Sequence, residues 1–215
     1  MSYRGMRIAS VVVVAGMAAV AAAALQRLPS GAQLPVHWDL AGNVDRTEDA
    51  AYALFLPVGL TALVGGLMAA LPVLEPMQRQ LAQSAPLYRT AWAAVLAVLA
   101  LTEVAIAAPA FGLARPTMLP LAGAGLALVA IGNMLPKSRP GFFVGIRTPW
   151  TLTDPENWIA THRLGARTMM AAGVLTMAAA VAPATMRAPL VVGAVALCLA
   201  PVPYSWWRWR RSARA

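Results

Sequence analysis

Ala50-Ala51-Tyr52-Ala53-Leu54-Phe55-Leu56-Pro57-Val58-Gly59-Leu60-Thr61-Ala62-Leu63-Val64-Gly65-Gly66-Leu67-Met68-Ala69-Ala70-Leu71-Pro72-Val73-Leu74 runs without a single charged residue. A helix needs about 20 apolar residues to cross hydrocarbon. A helix also satisfies its backbone hydrogen bonds internally, which makes it the form such a run takes in lipid. Working outward, the chain is equally charge-free between Arg7 and Arg27 and over 116–136, 168–186 and 188–207. A further apolar span, 90–114, is broken only by Glu103. The expected fold is therefore all-α, a polytopic membrane protein with six transmembrane helices. Composition agrees: of 215 residues, 60% are hydrophobic and 12% charged, with mean hydropathy +0.65. Soluble domains carry about 25% charged residues, so a soluble enzyme and a disordered chain are both excluded. The single cysteine, Cys198, leaves no internal disulfide framework.

The net charge of +9 would by itself point to nucleic acid. The placement of the charges says otherwise. With the N-terminus cytoplasmic, Arg4, Arg7, Arg79, Arg89, Lys137, Arg139, Arg147, Arg163, Arg167, Arg208, Arg210, Arg211 and Arg214 fall inside. Arg27, Arg46, Arg115 and Arg187 fall outside. Such a bias predicts both termini in the cytoplasm. Trp206, Trp207 and Trp209, interleaved with arginines, suit an interfacial anchor. No direct nucleic-acid partner is expected. Arg4 and Arg7 before an apolar run and Ala22-Ala23-Ala24 share features with a cleavable signal peptide, but the run is long for one, and a retained helix is expected. Ala18, Ala22, Gly59, Gly65, Gly66, Gly123 and Gly125 are small enough to let helices approach closely.

Chemistry-bearing residues concentrate in two loops. The first, Arg27 to Asp49, holds Pro35-Val36-His37-Trp38-Asp39 and, after the turn signal Gly42-Asn43, Asp45. A small hairpin or tight turn is expected there. Its acids and its one histidine read either as a recognition or cation site or as a structured loop satisfying its own backbone. The spacing matches no zinc pattern, and no metal is expected. The other loop begins with Lys137-Ser138-Arg139 and continues through Phe142-Phe143-Val144-Gly145-Ile146-Arg147-Thr148-Pro149-Trp150. Its prolines and glycines forbid a continuous helix. Lys137, Arg139 and Arg147 read either as contacts to lipid phosphates or an acidic partner, or as ordinary topology charges beside aromatic anchors. A helix then starts at Thr153 or Asp154, with Pro155 in its first turn and Glu156 three residues after Thr153 as in a capping box. Trp158 and His162 share one edge of that helix, facing the bundle or the preceding loop, where a structural histidine is expected.

His37 and His162 fall on opposite sides of the membrane in this topology, so they cannot share a metal or a dyad. No nucleophile elbow, zinc-protease motif or P-loop occurs. No catalysis and no cofactor are expected. Glu103 is the one acid inside a span and reads as a functional group, a protonated carboxyl or a group paired to a helix neighbour.

Leu135-Pro136-Lys137, then Phe143 through Leu152, then Trp158…Thr161-His162-Arg163 together resemble the signature of the SdpI family of integral membrane immunity and signalling proteins. Pro35-Val36-His37-Trp38…Gly42…Asp45 resembles the small module of unknown function found in the N-terminal half of that family. The resemblance implies two halves. Residues 1–115 would hold three helices and an extracytoplasmic Pro-x-His-Trp loop at 27–51. Residues 116–215 would form an SdpI-like three-helix half with a cytoplasmic motif loop at 136–167. It further implies a multi-pass protein of a bacterial plasma membrane that protects against a secreted membrane-active peptide toxin and recruits a transcriptional repressor. Toxin-binding candidates are then Pro35, His37, Trp38, Gly42 and Asp45. Partner- or lipid-binding candidates are Lys137, Arg139, Gly145, Arg147, Thr148, Pro149, Trp150, Trp158, His162 and Arg163. The alternatives are a small-solute transporter, supported by Glu103, and an envelope-stress protein without a toxin partner.

Overall fold

The structure, a computed structural model, describes residues 3–39, 41–114 and 118–212. Arg115 and Arg214 lie outside the described residues. Nine helices are described, α1 (Arg4–Leu25), α2 (Ala50–Leu74), α3 (Gln78–Gln83), α4 (Ala85–Ala107), α5 (Leu119–Met134), α6 (Pro149–Thr153), α7 (Pro155–Val181), α8 (Ala184–Leu199) and α9 (Pro201–Ser212), with two strands, β1 (Gln33–Trp38) and β2 (Val44–Asp49). Six helical stretches are long and apolar enough to span a membrane: Arg4–Leu25, Ala50–Leu74, Ala85–Phe111, Leu119–Lys137, Pro155–Val181 and Ala184–Ser212. The even number returns both described termini to one end of the bundle, called the terminal end below; the opposite end carries the β1–β2 hairpin.

Several span boundaries differ from the charge-free runs. The first span starts at Arg4 and the third, α4, at Ala85, so Arg7 and Arg89 are helical. An arginine near a helix end can extend its stem along apolar surface and keep its head in water, so a charge need not end the helix. The fifth span stops at Val181 rather than continuing to 186. Pro183, in extended conformation with φ −55° and ψ 150°, starts the next helix, which places Arg187 in the first turn of α8 rather than in a loop.

Small residues set the helix spacing. A Cβ on Gly125 would lie 2.7 Å from the Gly173 carbonyl, so α5 and α7 touch backbone to backbone. Near the hairpin, Met17, Ala21 and Ala24 of α1 pack with Leu34, with Ala53, Leu54 and Val58 of α2, and with Ile106 of α4. Toward the terminal end, Tyr3, Leu81, Tyr88, Trp92 and Leu96 form a second cluster. There the fully buried Trp92 indole donates to Ser10 Oγ at 2.9 Å, so its polar edge is satisfied away from water.

The first loop folds as the antiparallel hairpin that Gly42-Asn43 foretells, with Gln33 opposite Asp49 and Trp38 opposite Val44. Asp39 closes the turn. Its backbone N–H donates to the Asn43 carbonyl at 2.9 Å. Its carboxylate accepts from the Asn43 backbone at 2.8 Å and from the Asn43 amide at 3.0 Å. Gly42 has φ +89°, a region that L side chains rarely adopt. Asp49 then caps α2, accepting from Ala51 N–H at 2.9 Å.

Candidate functional site

The loop between α5 and α7 is tied down from three directions. After a short 3₁₀ turn, Leu135–Lys137, the chain is irregular up to α6. The capping box expected at Thr153 and Glu156 sits one helix earlier. Thr148 accepts from Thr151 N–H at 3.2 Å, and Thr151 Oγ1 accepts from Thr148 N–H at 2.9 Å. The reason is that α6 intervenes, so Thr153 ends one helix and Asp154 alone caps the next, accepting from Glu156 and Asn157 N–H at 2.8 and 3.1 Å.

His162 and Trp158 form the seat of this loop. Both are 1% exposed, one helical turn apart, and their rings stack at 4.0 Å. His162 Nε2 accepts from Ile146 N–H at 2.8 Å, so that nitrogen carries a lone pair. Nδ1 then holds the proton and donates to the Trp158 carbonyl at 2.8 Å. His162 thus faces the loop, one of the two orientations that the helical spacing leaves open. The Trp158 indole donates to the Ser138 carbonyl at 3.4 Å. Gly145, at φ +120°, lies directly over the two rings: an added Cβ would sit 2.6 Å from the Trp158 ring and 2.7 Å from His162 Nε2.

Deeper toward α9, the hydroxyls of Thr148 and Ser205 lie 3.2 Å apart, and Asn157 donates to the Ser205 carbonyl at 2.9 Å. Thr161 donates to Asn157 Oδ1 at 3.0 Å. From the other side, Glu75 reaches the loop from the end of α2. It is 3% exposed, and its carboxylate accepts from Phe142 N–H at 3.3 Å, Phe143 N–H at 3.0 Å and Met77 N–H at 3.0 Å. Ser84 Oγ accepts from Arg139 N–H at 2.9 Å. Sequence reasoning missed Glu75, Ser84, Asn157, Thr161 and Ser205 as parts of this site. The one local signal was that Glu75 is an acid at the end of an apolar span.

The candidates of this loop thus divide in two. Gly145, Thr148, Trp158 and His162 are the interlocked scaffold. Lys137, Arg139, Arg147 and Arg163 are exposed, and so is Pro149, with Trp150 half-buried. Arg147 donates to the Phe142 carbonyl, and the Trp150 ring lies 6.1 Å from that of Trp209.

The candidates of the hairpin divide as well. Pro35 is buried, and Trp38 packs partly buried against the cluster of α1, α2 and α4. His37 Nδ1 and Asp45 Oδ1 lie 2.6 Å apart with 62% and 45% of their side chains exposed. Among the described residues the two side chains pair with each other. Asp39 is held below its ordinary value of 3.8 by hydrogen bonds from the Asn43 side chain first and the Asn43 backbone second. Gly42 rests against α8: Arg187 donates to the Ala41 carbonyl, and at 3.1 Å to Ala182 O. On the same end, the Arg27 guanidinium lies 4.5 Å over the Phe111 ring.

Glu103 joins neither group. It is 1% exposed in α4, and neither carboxylate oxygen has a hydrogen-bond partner among the described residues. The helix-neighbour pairing open from the sequence is not formed. Among the described residues, no three of His, Cys, Asp and Glu converge as metal ligands.

No curated protein and no solved structure matches the chain significantly. Two family models do. One, a domain of unknown function (DUF1648), matches residues 12–62 and so covers α1 from Val12 onward, the hairpin and the first half of α2. The other matches residues 137–205, from the exposed Lys137 through the His162 seat to Ser205. The motif loop from Lys137 onward, its buried seat and Ser205 of α9 fall within that second stretch, and it is over those residues that this multi-pass membrane protein is similar to the SdpI/YfhL protein family.

Proposed function

We propose that the chain is a membrane immunity and signalling protein. Its hairpin end receives a secreted membrane-active peptide, and its motif end presents an output surface to a soluble partner. The observation that carries this reading is the match of residues 137–205 to the SdpI/YfhL family, coinciding with a loop whose scaffold is fully hydrogen-bonded while its cations stay exposed. A rigid loop with exposed guanidinium groups loses little conformational freedom when it binds an acidic partner. The distribution of basic residues supports a cytoplasmic terminal end, accessible to a transcriptional repressor, and an outer hairpin in a bacterial plasma membrane. His37 and Asp45 are an exposed polar pair on the hairpin. Protection then proceeds by binding and signalling, without catalysis.

The test is survival of a sensitive bacterium expressing the protein and challenged with a secreted membrane-active peptide toxin. Wild-type protein should protect. Arg147→Lys, which keeps the charge but not the bidentate fork, should lose partner recruitment at unchanged membrane level. Reporter fusions should be active as cytoplasmic ones at Arg79 and Arg147 and as external ones near Gly42. An external signal at Arg147 sinks the orientation, and wild-type recruitment by Arg147→Lys removes the specific contact.

One observation favours a second reading. The unpartnered Glu103 carboxyl inside a span suits a proton- or cation-coupled transporter of a small solute. Solute flux in proteoliposomes that disappears in Glu103→Gln would establish it; protection without flux would retire it. Protection that needs no toxin partner would instead point to an envelope-stress role.

A further inference from the structure

Two adjoining cavities beside α1 take no part in the site above. The first, of about 600 Å³, opens at the terminal end between the start of α1, the end of α2 and α3, and its lining includes Tyr3, Arg4, Arg7 and Arg79. Its described lining holds three arginines and no carboxylate. The second, of about 450 Å³, is a groove along α1 and α2, lined by Val11, Val14, Ala15, Ala18 and Gly66 among others. Arg7 lines both. It donates to the Ala69 carbonyl at 3.2 Å, which fixes its guanidinium where the two cavities meet.

The depth of each cavity matches a bilayer. The basic pocket lies where α1 begins and α2 ends, the level at which two spans leave the hydrocarbon. From Arg7 to Ala18 the groove descends about 16 Å at the 1.5 Å rise of a helix. That is about half of a ~30 Å hydrocarbon core, or one leaflet. A charged pocket at headgroup level leading into an apolar groove one leaflet long has the outline of a single amphiphile.

We propose that the two cavities bind one anionic phospholipid, its phosphate held by Arg4, Arg7 and Arg79 and one acyl chain lying in the α1–α2 groove. A guanidinium presents a planar fork that fits phosphate oxygens in pairs. Small residues on both helices leave the groove wide enough for a chain: a Cβ on Gly66 meets nothing within 4 Å. A second copy of this chain fits less well. A two-fold contact pairs a patch with itself and would bring three arginines against three more. A free phosphate would leave the apolar groove uncovered.

The experiment uses the full-length protein in detergent, with phosphatidylglycerol, phosphatidylcholine and inorganic phosphate as probes, read by native mass spectrometry and thermal unfolding. Phosphatidylglycerol should stay bound and raise the unfolding midpoint, and phosphatidylcholine at the same concentration should not. Arg79→Gln, on the exposed α3, should weaken phosphatidylglycerol binding about fivefold, and Arg4→Gln with Arg79→Gln about twenty-five-fold, as expected for surface cations at a lipid headgroup. Gly66→Leu should fill the groove and weaken retention of the same lipid. Equal binding of the two lipids, or arginine variants that bind as wild type, would overturn the proposal. So would displacement of phosphatidylglycerol by millimolar phosphate with Gly66→Leu unaffected, which would mark a free-anion site. Loss of self-association in Gly66→Leu with lipid binding intact would assign the groove to a second copy and overturn it equally.

Discussion

At the hairpin end, His37 and Asp45 hold each other at 2.6 Å with both side chains open to water. At the terminal end, His162 is 1% exposed and each of its ring nitrogens has a backbone partner. The two histidines of one chain therefore do opposite work. An exposed polar pair contributes no more than about 1 kcal/mol, so His37 is free to be exchanged for a ligand at little cost to the fold. A buried ring that leaves a backbone N–H without a partner when removed costs about 1–3 kcal/mol from that group alone. The contrast separates a place where binding can evolve from a scaffold that holds other residues in place. It also leaves the cations Lys137, Arg139, Arg147 and Arg163, rather than buried His162, exposed on the motif loop.

The sharpest way to break this contrast is at glycine. Gly145→Ala places a methyl 2.6 Å from the Trp158 ring at φ +120°. The unfolding free energy should fall by about 4 kcal/mol, combining backbone strain with overpacking. Gly42→Ala is strained too, at φ +89°, but its neighbours are the flexible ends of Arg187 and Met118, and the loss should be about 1–2 kcal/mol. Thermal and denaturant unfolding of the two variants in the same detergent measures the gap. Equal losses would mean that the two ends are equally rigid.

Glu75 tests whether the scaffold reaches beyond the family-matched stretch. Glu75→Gln keeps one acceptor oxygen but turns an amide toward the N–H groups of Phe142 and Phe143. The expected cost is about 1–3 kcal/mol, with faster proteolysis between Arg139 and Arg147. A cleavage rate equal to wild type would show that the loop holds its shape without this carboxylate.

His37→Ala sharpens the contrast from the other side. Stability should change by less than about 1 kcal/mol, while protection against the peptide toxin should fall at constant membrane level. A variant that loses stability and function together would make His37 a structural residue like His162.

The smallest effect is a pH dependence confined to the hairpin turn. The Asp39 carboxyl is held down by Asn43, so its folded pKa lies below the unfolded value. The stabilisation is fully present above the ordinary value of 3.8 and is lost as pH falls through the depressed folded value. Amide exchange at Asn43 should quicken in acid, and Asp39→Asn should remove that pH step. A step that persists in the variant belongs to another group.

Much of the architecture was legible because its signals are local. Hydropathy over 50–74 needs only the residues of that run to declare a span, and Gly42-Asn43 needs only its neighbours to declare a turn. The start of α7 at Pro155 was readable from Asp154 and Pro155. The capping box was misplaced because Thr153-x-x-Glu156 fits the pattern as well as Thr148-x-x-Thr151 does. Only the intervening α6 chooses between them, and five residues carry too weak a periodicity to show it.

By itself, then, the sequence determined the six spans and the hairpin, since each follows from spacing along the chain. Tertiary structure alone decided the partners. Glu75 meets Phe142 across 67 residues, Thr148 meets Ser205 across 57, and Arg187 meets Ala41 across 146. Hydrophobic burial in a span is non-directional and can be read from composition. A hydrogen bond needs its two atoms within about 3 Å at a set angle, and only the packed rotation of each helix brings those atoms together.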